Sequence, residues 1–145
     1  MNVAVTAARI LLGLVFVAAG ASGFLLIAHP PAQPPGLAGE FQNVFFKSGW
    51  VLFVDGVELL AGLLLLANRY VALALAALAA VIANIAVFHL TMAPMGLPVV
   101  AVLVALWATV ATRHRSSFAP LLAQRPAPAS DTVTRPINAA LRASA

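Results

Sequence analysis

No cysteine occurs in the 145 residues. That absence removes disulfides, thiol redox chemistry and thiolate metal sites, so any electron transfer involving this chain draws its electrons from a cofactor or a partner. Charge is nearly as scarce, at 8% of residues against about 25% in an ordinary soluble domain. There are four acids and a single Lys, and the seven Arg lie mostly at the ends of apolar runs and in the C-terminal tail. No basic face with interleaved aromatics exists to grip a strand, which argues against a nucleic-acid partner. A Gly-rich phosphate loop, a Ser-His-Asp set and the Glu-x-x-His pairs of a di-metal bundle are all missing. Asp55 with His89 or His29 is too small a ligand set for a metal, and haem held by the two histidines would sit in the interface rather than inside a bundle, so neither is expected.

Apolar sequence fills the space that charge leaves, with 63% hydrophobic residues. Four runs, 5–28, 48–68, 70–90 and 97–112, are long enough or nearly so to cross a hydrocarbon core of about 30 Å as helices. Backbone groups in lipid must be satisfied within each segment, and unbroken apolar runs lack the period-two alternation of barrel strands. The expectation is therefore an all-α polytopic membrane protein, a bundle of four transmembrane helices.

An even number of spans puts both termini on one side, where Arg9, Arg69, Arg113 and Arg115 collect while Lys47 falls opposite. Basic residues near span ends mark the cytoplasmic face, so both termini are expected in the cytoplasm. A cleaved signal peptide is the competing reading of the first run, because AAGASG offers small residues, but the apolar stretch continues through FLLIA past any such site. The first outer loop, 29–47, changes character halfway. Prolines 30, 31, 34 and 35 hold its first half extended, and Phe41, Val44, Phe45 and Phe46 then mix with Gln42, Asn43 and Lys47 in a short amphipathic stretch suited to the membrane interface. From His114 to Ala145 the chain turns polar and proline-bearing, the composition of a disordered cytoplasmic tail, with SSFAPLLAQ able to form a short surface helix.

The second run contains Asp55 and Glu58, each of which costs about 2.5 to 3.5 kcal/mol at the centre of a span. At about 100° per residue the two acids share one face, with Gly62 a turn further along the same stripe. A small residue there lets a neighbouring backbone approach, so the stripe is expected to point into the bundle, with Leu60, Leu64 and Val57 toward or beside lipid. Gly20 and Gly23 in the first run have the same helix-packing reading. The tight hairpin at Asn68 and Arg69 places Asp55 level with Ile82 to Asn84, so the Asn84 amide could donate to Asp55. His89 lies about 8 to 9 Å further outward by helix rise, within reach through a water. Asp55, Glu58, Asn84 and His89 together would form a polar track, although His89 at a helix end also suits a capping role and Asn84 alone would be helix glue. Arg9 has two readings, a buried pair with Glu58 or an anchor in the cytoplasmic headgroups. Trp107 reads as filler.

Three stretches carry a resemblance: ARILLGLVFVAAG at 8–20, VELLAGLLLLANRYVALALAAL at 57–78 and NIAVFHL at 84–90. With the four spans and the long outer loop, they resemble DoxX-type membrane proteins over about residues 5–113. The resemblance implies a small four-helix protein of the bacterial cytoplasmic membrane, in a family of which some members are associated with quinone-linked thiosulfate oxidation, others with oxidative-stress complexes, and most have no assigned activity. Arg9, Glu58 and Gly62 match positions that the family pattern emphasises, and His89 does so more loosely. Ser22 and Gly23 stand where related proteins often place a Lys, which weakens any transfer of an anion or quinone headgroup site.

Two function classes follow, and neither makes the chain a stand-alone enzyme. In one, a quinone-like molecule binds between the first three spans, Asp55 and Glu58 hydrogen-bond and exchange protons with it, His89 serves as the outer relay, and a membrane or cytoplasmic redox partner supplies electrons. In the other, the chain is a non-catalytic membrane subunit or scaffold whose acid face packs on another helix and whose tail recruits a cytoplasmic partner; a homo-oligomer is a further partner reading. A small proton-coupled transporter is a third reading, without a broken helix or inverted repeat to support it.

Overall fold

The structure, a computed structural model, describes residues 3–119. Among them the fold is entirely helical: α1 Val3–Leu26, α2 Leu37–Lys47, α3 Trp50–Leu66, α4 Val71–Thr91, a 3₁₀ turn Pro94–Gly96, α5 Leu97–Arg113 and the short turn α6 Arg115–Phe118. α1, α4 and the stretch Pro94–Arg113 are each long and apolar enough to cross a bilayer, and the bent pair α2 and α3 raises the number of candidate spans from three to four. These are the helices of a membrane protein. The chain divides into two units, 1–115 and 116–145, and only the first four residues of the second are described, so the expected disordered tail lies almost wholly outside the described residues.

The second apolar run is shorter as a helix than its hydropathy predicts. Gly49 adopts φ 75°, a left-handed conformation that ends α2 and starts α3, and the two helix axes differ by 85°. α3 is left with 17 residues, about 25 Å of rise. The amphipathic stretch of the outer loop forms a fuller helix than expected, starting at Leu37. Glu40 lies in its first turn and Lys47 in its last, the arrangement that complements the helix dipole. Phe41 stacks on Phe45 at 5.9 Å and meets Phe88 of α4 at 5.4 Å, which seats α2 against the end of α4.

Helix pairings run from α1 to α3, α3 to α4, α4 to α5 and α5 back to α1, with α1 on α3 the most extensive. Large buried side chains fill the space between them, Leu12 and Phe16 from α1, Leu65 from α3, Leu75 and Leu78 from α4, and Val110 from α5. The turn from α3 to α4 is as tight as the sequence requires, with Asn68 and Tyr70 both left-handed at φ 55° and 51°.

Candidate functional site

The buried residues of α1 and α3 form two matching stripes. On α1 they include Arg9, Gly13, Phe16, Gly20 and Gly23, and on α3 Val51, Asp55, Glu58, Gly62 and Leu65. Each steps by three or four residues, the spacing that keeps side chains on one helical face. Contacts between them run in opposite directions along the chain. Gly20 lies where a Cβ would meet the backbone O of Asp55 and N of Leu59, each at 2.5 Å, and Gly62 where it would meet N of Val17 at 2.8 Å and O of Gly13 at 2.9 Å. α1 and α3 are therefore antiparallel, and glycine brings their backbones to a separation that no other residue would permit. Gly13, which the sequence does not single out, belongs to the same contact, its missing Cβ occupied at 2.9 Å by Leu66. Its place in the regular series with Arg9, Phe16, Gly20 and Gly23 is the available signal.

Both acids lie in this contact. Asp55 and Glu58 are only 8% and 6% exposed, and the expectation that their stripe points inward agrees with that placement, as does the 62% exposure of Leu60 on the far side. Gly23 serves Asp55 directly, because a Cβ on Gly23 would fall on the Asp55 carboxylate. Glu58 is the middle residue of α3. Neither carboxylate accepts a hydrogen bond or joins an ion pair among the described residues. The one side-chain oxygen both sealed and unpartnered among those residues is Oε1 of Gln33, so the carboxylate oxygens of Asp55 and Glu58 remain reachable from outside the fold.

Arg9 is not their countercharge. It is 9% exposed, and its Nη1 donates to the carbonyl O of Leu65 and, at 3.4 Å, to that of Leu66. Both expected roles, the pair with Glu58 and the headgroup anchor, give way to a cap on the C-terminal end of α3. The physical reason is register. Antiparallel pairing sets Arg9 beside the last turn of α3, which carries the negative end of the helix dipole and whose Leu65 carbonyl also accepts the turn N–H of Asn68 at 3.1 Å. Glu58 lies about 10 Å further along by helix rise.

Asn84 and His89 do not join the acids. Asn84 is exposed, and its Nδ2 donates to the Ala80 carbonyl one turn back in its own helix at 2.9 Å. Hydropathy gives α4 its depth but not its rotation: the buried residues are Val71, Ala74, Leu75, Leu78, Val81 and Ile82, and Asn84 lies about 200° around from Ile82. His89 closes the end of α4. Its Nδ1 lies 2.9 Å from the Ala93 carbonyl, its ring meets Phe88 edge-on at 5.2 Å, and Gly96 leaves room for it. Trp107 is more than filler, since its Nε1 donates to the Leu75 carbonyl at 2.8 Å and ties α5 to α4.

The site is thus a pair of adjacent carboxylates against a glycine-lined helix, free to accept hydrogen bonds or to exchange protons with a bound group. Among the described residues no cluster of three or more His, Cys, Asp or Glu could hold a metal ion. No family model, curated protein or solved structure matches the chain.

Proposed function

We propose that this chain is a DoxX-like subunit of the bacterial cytoplasmic membrane, a bundle of four spans with both termini in the cytoplasm. In this reading Asp55 and Glu58 bind the polar head of a small quinone-like molecule. The observation that carries the reading is the state of the two acids, buried in the α1–α3 contact, without a hydrogen bond or ion pair among the described residues, yet not sealed. A buried carboxylate without partners is costly; protonated, each acid can donate to a quinone carbonyl and give up its proton on reduction, and ionised it accepts from the hydroxyls of the quinol that forms. The cyclic order of helix pairings supports a bundle, with α3 as the short span and α2 lying across its end. Electrons come from a membrane or cytoplasmic redox partner, because no residue of the chain carries them.

The test is binding of a ubiquinone or menaquinone analogue to the purified protein, wild type against Glu58→Gln and Asp55→Asn. Saturable binding lost in folded amide variants supports the site, and equal binding by all three removes it. A scaffold role is the second reading, favoured by the direct seating of the Asp55 carboxylate on Gly23, a contact between helices that needs no ligand. It requires that the amide variants lose a partner or an oligomer instead.

A further inference from the structure

α4 turns one face to α3 and α5 and leaves the opposite face uncovered. Leu73, Ala76, Ala80, Ala83, Asn84 and Val87 are all exposed there. Asn84 is three residues from Val81, the midpoint of the helix, or about 4.5 Å along the axis. In a spanning α4 that depth is hydrocarbon, where lipid offers neither donor nor acceptor, and an Asn side chain is too short to reach the headgroups. One amide hydrogen is used on Ala80. The other, and Oδ1, have no partner among the described residues.

Ala76, Ala80 and Ala83 in the same stripe permit another helix to approach closely, which brings a polar side chain within hydrogen-bonding distance of its mate. A primary amide is both donor and acceptor, so the same residue from a two-fold-related copy satisfies both unmet groups at once, with no other side chain required. The second copy is the occupant whose chemistry is complete on this face. We infer that the exposed face of α4 is the interface of a symmetric dimer in the membrane, closed by reciprocal Asn84 amide hydrogen bonds. The inference rests on α4 being embedded in lipid and is independent of what Asp55 and Glu58 bind.

The chain has no cysteine, so Ala80→Cys introduces a unique thiol. Full-length protein in native membranes, retained after alkaline extraction, is treated with a mild oxidant. A disulfide-linked dimer is expected for Ala80→Cys and none for Val99→Cys, which sits on α5 at 62% exposure. In lipid vesicles, energy transfer between labelled copies is expected to show dimers for wild type. Asn84→Leu is expected to raise the dimer dissociation constant by about tenfold, the scale of an interhelical hydrogen bond in a membrane, with Asn84→Gln restoring part of the loss. A membrane-retained monomer at every protein density, equal cross-linking at positions 80 and 99, or a dimer indifferent to Asn84→Leu each overturns the interface. Release by alkaline extraction overturns the embedding itself and is read before any cross-link.

Discussion

α1 meets α3 through glycine, whereas α4 meets α5 through bulk. In the first contact Gly13, Gly20, Gly23 and Gly62 let two backbones close on each other around Asp55 and Glu58. On the other side, Leu75 and Leu78 of α4 and Val100, Leu103 and Val110 of α5 are large buried side chains, and Trp107 donates one hydrogen bond to the backbone of α4. Lipid tails are as apolar as leucine, so neither contact draws on a hydrophobic driving force between helices, and packing and hydrogen bonds must hold both. The difference lies in what each can hold. Interdigitated leucines would enclose a carboxylate among methyl groups at a cost of several kcal/mol, while the glycine contact sets the Asp55 carboxylate directly against the backbone of Gly23.

Breaking the glycine contact has the largest expected effect. Gly20→Val places a branched side chain against the backbone of Asp55 and Leu59, and a loss of about 3 kcal/mol is expected from overpacking. Reversible unfolding in mixed micelles measures it, with exposed Ala101→Val on α5 as the control expected to stay within about 0.5 kcal/mol. Equal effects at the two positions would erase the distinction between the contacts. Next comes Arg9→Met, which keeps much of the apolar stem but strips the cap from the Leu65 and Leu66 carbonyls. Charged hydrogen bonds of this kind contribute about 1.5 to 3 kcal/mol, and the same unfolding measurement should show the loss with hydrogen exchange rising in the last turn of α3.

On the bulky side, Trp107→Phe keeps an aromatic ring and removes the donor to Leu75, for an expected loss of about 1 kcal/mol. The smallest effect is expected from Asp55→Asn and Glu58→Gln. Neither carboxylate has a hydrogen bond to lose among the described residues, so neither amide should destabilise the fold by more than about 0.5 kcal/mol, while quinone-analogue binding disappears. If either amide instead destabilises the fold as much as Arg9→Met does, the acids hold the helices together and the ligand reading fails.

Much of the α1–α3 contact is legible in the residue pattern alone. The spacing of Asp55, Glu58 and Gly62 places them on one inward stripe, and Gly20 and Gly23 read as packing residues because small side chains in an apolar run have few other uses. Arg9 misleads because its charge points to the acids. Its actual partners are two backbone carbonyls that no side-chain pattern advertises. Asn84 misleads for a different reason. A helix as apolar all round as α4 carries no stripe to announce which side is inward, so depth can be counted from the hairpin but rotation cannot.

The sequence by itself determined the helical class, the apolar runs, the absence of thiol chemistry and the angular relations within each helix, because hydropathy and a period of 3.6 residues are local properties. The tertiary structure alone decided that α1 runs against α3 in the register that seats Asp55 on Gly23, that Arg9 caps rather than pairs, and that Asn84 faces outward. Those facts depend on how one helix surface fits another, and residues far apart in the chain settle that fit together through shape and contact.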